Sequence, residues 1–425
     1  MKADWFSFGD ALKAILRSVA PLDAESVRLE SAAGRVLVDP VVSPIDLPRW
    51  TNSAMDGYAV RALDIQGARP EAPVTLKVIE DIAAGSFPTL PLAANEATRV
   101  MTGAPVPEGA DSVVRVERTD GGARTADGRW EVKIQYAEDA GRHIRPRGEE
   151  LGVGDVAVAA GALVSPGVIG MAASLGVGSV RVVRRPRVAI LASGDELVDL
   201  DGFDEVLAGR RIVSSNSYTL AAQLAAAHCD VVDLGIARDR PTELRSAILR
   251  AAGCDALITS AGISVGEHDY VREVLRDLET DVAFWRVRIR PGSPFAFGRI
   301  GALGGIPWFG LPGNPVSSAV TFELLARPAL LRMGGHSRVL RRRIRAITRS
   351  ALPAAPDVTQ FVRVSLDQSA DGSWEAQLTG AQGSNLLTSF ARADGFLVVP
   401  EGDGPVPVGS VLEAIPLEKA WMDLD

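Results

Sequence analysis

The feature that most restricts what this chain can fold into is the stretch from Arg184 to about Leu331, where apolar strand-like runs alternate with helical periodicity. It opens with RVAILA at 187–192, the continuous apolar run that a strand buried on both faces requires. A helix from Tyr218 to His228, the strand VVDLGI, a helix from Glu243 to Ala252 and the strand ALITS follow. Then come a helix from Tyr270 to Leu278, the strand AFWRVRI and a last helix from Val316 to about Leu331. Such short alternation implies right-handed crossovers and a doubly wound, mainly parallel sheet. Ligands of these sheets sit beyond the carboxyl ends of the strands, so the loops after Ala192, Thr259 and Phe309 are where chemistry is expected.

On either side the texture differs. Phe8, Leu12, Ile15, Leu16 and Val19 recur at three and four before Pro21 and predict one amphipathic helix, not a signal peptide. From Asp46 to about Gly141 short strand-like runs (VTLKVIE, SVVRVER, WEVKIQY) separated by Gly, Pro and Asp turns predict a β-rich lobe. Mixed strand, turn and small-residue helix fill the segment up to Val183. After about Arg338 the pieces FVRVSL, WEAQLT and FLVVP predict a small all-β tail domain, and the arginine-rich run RVLRRRIRAITR before them reads as an exposed, charge-protected edge strand. A length of 425 residues accommodates two to four domains. The net charge of -8 argues against binding a phosphate backbone broadly, so an anionic ligand would need a local site. Two scattered cysteines, Cys229 and Cys254, match no disulfide framework or metal spacing and read as buried thiols. With no apolar run of membrane-spanning length, a cytoplasmic protein is expected.

Three strand-end loops carry the chemistry. SAGISVGEHDY (260–270) offers small residues that let backbone amides turn toward a ligand, with the Ser260 and Ser264 hydroxyls: an anion cradle in outline, or a plain connection. SGDEL (193–197) sets Asp195 and Glu196 beside small residues, which suits a hydrated divalent cation as well as an acidic helix start. GLPGNPVSS (310–318) is stiffened by two prolines. Gly313 is expected to take a backbone conformation closed to other residues, Asn314 to bridge neighbouring loops, and Ser317 to add to a second oxyanion site. Upstream, Arg286, Arg288 and Arg290 at spacing two would share one strand face, as an anion patch or a salt-bridge ladder. Asp56-Gly57 and Thr102-Gly103 read singly as turns, and the four histidines support no zinc set or catalytic triad.

Taken together and in order, NSAMDGYAVR, MTGAPVP, IRPRGEE, SGDEL, SAGISVGEHDY, RIRPGSPFAFG and GLPGNPVS resemble the molybdopterin molybdenumtransferase family, which includes bacterial MoeA proteins and the C-terminal part of gephyrin, and the resemblance covers essentially the full chain. It implies an α/β multidomain protein: residues 1–45 with 143–183 as a mixed α+β dimerisation region, 46–142 as the β-rich lobe, 184–334 as a doubly wound molybdopterin-binding α/β domain, and 335–425 as a C-terminal β-barrel. It implies a cytoplasmic homodimer with its active cleft between subunits, inserting molybdate into adenylylated molybdopterin with Mg²⁺ and releasing AMP. A molybdopterin adenylyltransferase would act upstream and molybdoenzymes or their chaperones downstream, with no nucleic acid or membrane partner.

By the same resemblance, Asp56, Thr102, Glu150, Glu196, Asp239 and Asp269 match the family's catalytic positions, with Glu196, Asp239 and Asp269 at the metal and Thr102 facing the partner subunit's α/β domain. Ser193, Gly194 and Asp195, then Ser260, Gly262, Ser264 and Gly266, match the pterin and phosphate loops. Pro312, Gly313, Asn314, Pro315 and Ser317 match the rigid proline loop. Arg286, Arg290, Pro291, Gly292, Ser293 and Arg363 match the region around the oxyanion, with Ser389 and Arg392 both near the position of a further family serine. Two departures stand out. The family commonly has Lys-Pro-Gly-Lys-Pro where this chain has Arg290-Pro291-Gly292-Ser293-Pro294, and Lys at the place of Arg286. Ser293 therefore removes one positive charge, while arginine restores it elsewhere with a different shape. Ala261-Gly262 replaces paired glycines and restricts the backbone. Three functions are compatible with this set: the transferase, a pterin-binding paralogue acting as carrier, scaffold or regulator, and adenylylation of molybdopterin by the α/β domain.

Overall fold

The structure is a computed structural model, which describes residues 5–83, 85–261, 270–402 and 404–418, the side chain of Tyr270 excepted. The chain divides into two compact units, one formed by residues 1–39, 161–166 and 179–425, the other by residues 40–160 and 167–178.

The larger unit is built on a six-stranded sheet. Its strands are β1 (Arg187–Ser193), β2 (Asp230–Ala237), β3 (Ala256–Ser260), β4 (Thr280–Phe284), β5 (Ala296–Ile300) and β6 (Ile306–Leu311). They lie in the order β2-β1-β3-β6-β5-β4. The first four of that order are parallel, and β5 and β4 add as antiparallel strands. All of β3 and all but the first residue of β1 are buried, which is why both read as unbroken apolar runs. The crossover helices are Ser215–Ala226, Pro241–Leu249 and Tyr270–Asp277. The predicted helix from Val316 is three pieces: an α-turn segment Pro315–Thr321, a π-helical turn Phe322–Ala326 and a second α-segment Arg327–Met333. π-Turns admit one extra residue into a helix and recur near functional sites.

A second sheet closes on itself. Strands β7 (Ile344–Thr348), β8 (Thr359–Gln368), β9 (Trp374–Leu378), β10 (Gly395–Val399) and β11 (Val411–Pro416) run in the order β8-β9-β7-β11-β10 and return through a β8–β10 pairing, giving a five-stranded barrel. The basic run before it is thus not the predicted edge strand. Its strand β7 pairs on both sides, and the arginines around it meet carboxylates: Arg341 with Glu323, Arg343 with Glu413, and Arg349 with Glu375.

The run AFWRVRI is also broken where one strand was predicted. It bends at Trp285 and Arg288, so Arg286–Val287 pairs with Trp5–Phe6 while Ile289–Arg290 joins β8 of the barrel. Alternation holds only along a continuous strand, and Arg286, Arg288 and Arg290 do not form a common stripe. The N-terminal helix, Phe8–Arg17, starts where the Ser7 hydroxyl accepts the Asp10 N–H at 3.1 Å. Its buried Ala11, Leu12 and Ile15 enter one apolar core with Phe284 and Phe309 of the α/β sheet and Phe361 and Phe396 of the barrel. Each large side chain so buried contributes roughly 1.5–3 kcal/mol.

In the smaller unit the sheet order is Ser112–Arg115, Gly57–Val60, Glu96–Val100, Val74–Ile82, Trp130–Ile134 and Ala123–Arg124, around a core of Tyr58, Leu76, Val114, Val132 and Ile134. Gly57 is a strand residue, not merely a turn: a Cβ there would lie 2.0 Å from the Val114 carbonyl oxygen, so only glycine lets the strand after Asp56 pass.

Candidate active site

The loops after β1, β3 and β6 converge on a cavity of about 620 Å³ at the carboxyl edge of the parallel strands. Glu196 comes from the first loop, Ser260 and Ala261 from the second, Pro312 to Pro315 from the third. Pro294 adds to the wall, as does Asn385 from the barrel. The fourth side is the start of the helix Ser215–Ala226, where Ser214, Ser215 and Asn216 face the cavity. Its unpaired N–H groups and dipole give that side a positive potential. These three residues were not singled out in the sequence, although the polar run SSNS before an apolar helix is the ordinary mark of a helix start.

Each loop is braced. Asn216 Nδ2 donates to the Gly313 carbonyl at 2.8 Å, and Asn314 Nδ2 donates to the Ser384 hydroxyl at 3.0 Å, so Asn314 does bridge loops. Gly313 is favoured for a different reason than expected. Its φ is not left-handed, and a Cβ there would come within 3.3 Å of the Ala261 Cβ. The left-handed residue is Ala261 itself, at φ 76°, a conformation that costs an alanine about 1 kcal/mol. Ser317 does not face the cavity: it is 4% exposed, in the helix that follows. Gly262, Ser264, Gly266, His268 and Asp269 lie outside the described residues.

The acidic side consists of Asp195, Glu196 and Asp239. Ser193 closes β1 in register with Ala237, and Arg238 donates to the Asp195 and Leu197 carbonyls at 3.0 and 3.3 Å. Burial of the Asp239 carboxyl raises its pKa despite a hydrogen bond from the Asp195 backbone, and the negative charges of Asp195 and Glu196 add to the rise. Among the described residues no group of three His, Cys, Asp or Glu side chains is already gathered as a metal site. Gly194, at φ 152°, leaves room for the Glu196 carboxylate, which a Cβ would approach to 2.6 Å.

The residues that the resemblance assigns to the oxyanion lie near a buried arginine. Arg363, on β8, is 1% exposed and has no carboxylate partner among the described residues. Its Nε donates to the Ser389 hydroxyl at 3.1 Å and its Nη2 to the Gly383 carbonyl at 2.9 Å, and burial lowers its pKa. Residues 383–385, held by this arginine, carry Asn385 to the cavity and the Ser384 hydroxyl to Asn314. Ser389, not Arg392, is thus the partner of Arg363. Arg286 lies over the Trp5 ring, 5.4 Å from its centroid, and Arg290 is exposed. Pro291 and Gly292 are buried in the turn after Arg290. The Ser293 hydroxyl donates to the Ile289 carbonyl at 2.7 Å, closing that turn. Gly292, at φ 106°, has no space for a Cβ, which would sit 2.3 Å from Thr321 Cγ2.

In the smaller unit, Asp56 Oδ1 accepts both the N–H and the hydroxyl of Thr102, at 2.6 and 2.8 Å. These two bonds, the backbone one foremost, lower the Asp56 pKa. Glu150 is exposed, its N–H donating to the Leu47 carbonyl at 2.9 Å. The two residues that read as isolated turn positions are therefore one hydrogen-bonded pair.

Residues 6–176 match the MoeA N-terminal region (domain I and II), 189–332 a probable molybdopterin binding domain, and 345–417 the MoeA C-terminal region (domain IV). The chain belongs to the MoeA family. It is 35% identical over 399 residues to the molybdopterin molybdenumtransferase of Haemophilus influenzae, covering 93% of this chain and 94% of that one. It is 37% identical over 405 residues to molybdopterin molybdenumtransferase 2 of Mycobacterium tuberculosis, covering 94% and 96%. Among solved structures, the molybdopterin biosynthesis moeA protein of Pyrococcus horikoshii OT3 superposes with a TM-score of 0.80 at 26% identity, over 97% of this chain and all of that one. Among the described residues of this MoeA-family chain, no helix is long and apolar enough to cross a membrane.

Proposed function

We propose that this protein is a transferase of molybdenum cofactor biosynthesis that inserts molybdate into adenylylated molybdopterin and releases AMP. The observation that carries the reading is the cavity of about 620 Å³ with an acidic loop on one wall and, on another, a loop tied to a buried arginine that has no carboxylate partner among the described residues. Such a site suits a substrate with a phosphoanhydride at one end and an oxyanion acceptor at the other. Ser260, the backbone at Ala261 and the amino end of the helix Ser215–Ala226 bind phosphate oxygens. Pro312 to Pro315 form a rigid wall for the pterin, and Arg363 with Ser389 orients residues 383–385 toward molybdate. By the family resemblance Glu196, Asp239 and Asp269 would hold Mg²⁺, which would neutralise charge on the phosphoanhydride. Asp56, Thr102 and Glu150 complete the active cleft from the partner subunit of a homodimer. The substrate arrives from a molybdopterin adenylyltransferase, and molybdoenzymes or their chaperones collect the product.

Ser293 favours a second reading, a pterin-binding carrier without transferase activity, because its hydroxyl is committed to the Ile289 carbonyl and supplies no cation. One experiment separates the two. Purified protein is incubated with adenylylated molybdopterin, Mg²⁺ and molybdate, and AMP release is followed together with reconstitution of an apo-molybdoenzyme. The transferase produces both, dependent on molybdate; pterin binding with neither product at saturating molybdate establishes the carrier.

A further inference from the structure

One carboxylate of the β-rich lobe gathers four hydrogen bonds. Asp139 is fully buried. It accepts from the Arg115 backbone N–H at 3.1 Å, from Arg115 Nε at 3.0 Å and Nη2 at 2.8 Å, and it meets His143 Nε2 at 3.1 Å. Burial by itself would raise the Asp139 pKa; the bonds from Arg115 and His143 overcome that and hold it at about 2. Asp139 is therefore an anion throughout the range in which the protein functions.

What this anion ties together is the candidate catalytic pair. Arg115 ends the strand Ser112–Arg115 opposite Gly57, and the next N–H, of Val116, donates to the Asp56 carbonyl at 3.1 Å. On the other side the His143 carbonyl accepts the Ala54 N–H at 2.8 Å, and Ile144 and Arg145 pair with Ser53 and Asn52. Ser53 in turn accepts the Gly103 N–H at 2.8 Å and donates its own N–H to the Ala104 carbonyl at 3.0 Å. Both flanks of Asp56, and the loop that carries Thr102, thus hang from segments that meet at Asp139. His143 holds its place at φ 68°, a left-handed backbone that a histidine seldom adopts. The geometry points to Asp139 as a positioning residue that sets the Asp56–Thr102 pair for the transfer reaction, with Arg115 and His143 as its two arms. A shift of one ångström would break both Thr102 bonds to Asp56, and misplacement on that scale costs an enzyme about a hundred-fold in rate.

The inference rests on the reading that Asp56 takes part in the reaction, and the test separates the two. The full-length protein is assayed for AMP release as wild type, Asp56→Asn, Asp139→Asn and the double variant, with hydrogen–deuterium exchange at residues 101–104. Asp139→Asn is expected to lower kcat by about ten-fold or more with KM nearly unchanged, and the double variant to be no worse than Asp56→Asn alone. Exchange at 101–104 accelerates while that of the strand Val74–Ile82 stays as in wild type. Because Asp139→Asn takes from the half-buried Arg115 its main partner and leaves it only Glu138, the paired variant Arg115→Met with Asp139→Leu, which replaces both charges by apolar groups, is assayed beside it. A folded Asp139 variant with wild-type kcat, or losses at 56 and 139 that simply multiply, overturns the positioning role while Asp56 keeps its own. Full activity in Asp56→Asn overturns the role of Asp56 and the positioning role with it.

Discussion

Ala261 stands where the family commonly has glycine, and its left-handed φ of 76° is the reason glycine suits that place. Ala261→Gly relieves that strain and is expected to stabilise the protein by about 0.5 kcal/mol, after allowance for the freer unfolded chain, in denaturant titration. An unchanged or lower midpoint would show that the neighbours already absorb the strain. Asp239 gives a pH signature. Its pKa is raised, so the folded state favours the protonated acid, and that preference is lost as pH rises through the raised value. Above it the ionised carboxylate repels Asp195 and Glu196, and a bound cation relieves the repulsion. At the proposed Mg²⁺ site, the increase in Tm on adding Mg²⁺ should therefore shrink as pH falls through the raised value, and be weakened in Asp239→Asn. A Tm increase that is independent of pH would remove Asp239 from the cation site. That Glu196, Ser260 and Asn314 lie at strand-end loops that meet at one cavity was legible from residue type and position. The Asp56–Thr102 bond, by contrast, joins residues 46 apart, and no local pattern announces it.

The turn after Ile289 illustrates what an element imposes on its residues. The chain leaves the short Arg286–Val287 pairing, crosses to the barrel at Ile289–Arg290, and returns through Pro291, Gly292 and Ser293 to β5. Gly292 lies against Thr321, one residue before the π-helical turn, so the loop and the helix fix each other. Gly292→Ala should cost about 2–3 kcal/mol, the combined price of the contact and the backbone strain. Thr321→Ser, which removes the offending methyl and keeps the hydroxyl that donates to the Ser317 carbonyl, should recover part of that loss. No recovery in the double variant would assign the whole cost to the backbone. The strands buried on both faces, β1 and β3, were read correctly because burial writes a continuous apolar run. The run through Trp285 misled because apolar alternation persists across two bends at which the chain changes sheets. The arginines near β7 misled likewise: barrel closure is set by long-range pairing, which charge pattern does not encode.

At the scale of the whole chain, the α/β sheet does not own its core. Phe284, Val287 and Phe295 pack with Leu12 and Ile15 of the N-terminal helix and with Phe361 and Phe396 of the barrel. Residues 184–334 expressed alone should therefore expose these side chains, bind a hydrophobic dye and aggregate, although texture marks that stretch as a domain. A monomeric, cooperatively melting fragment would contradict the shared core. The fold class was legible here because alternation and motif order persist over hundreds of residues. The pairing of strand Ala24–Arg28 with Ser179–Val183 across the whole intervening lobe has no local signal, and only the resemblance groups residues 1–45 with 143–183.

The cavity also has a chronology. Its wall runs from Glu196 to Asn385, and the brace from Asn314 closes on Ser384. On a ribosome adding 5–20 residues per second, the last wall residue is made about 10 to 40 s after the first. A nascent chain therefore carries the acidic loop long before it can retain a ligand, and binding capacity arrives only as the barrel is being completed.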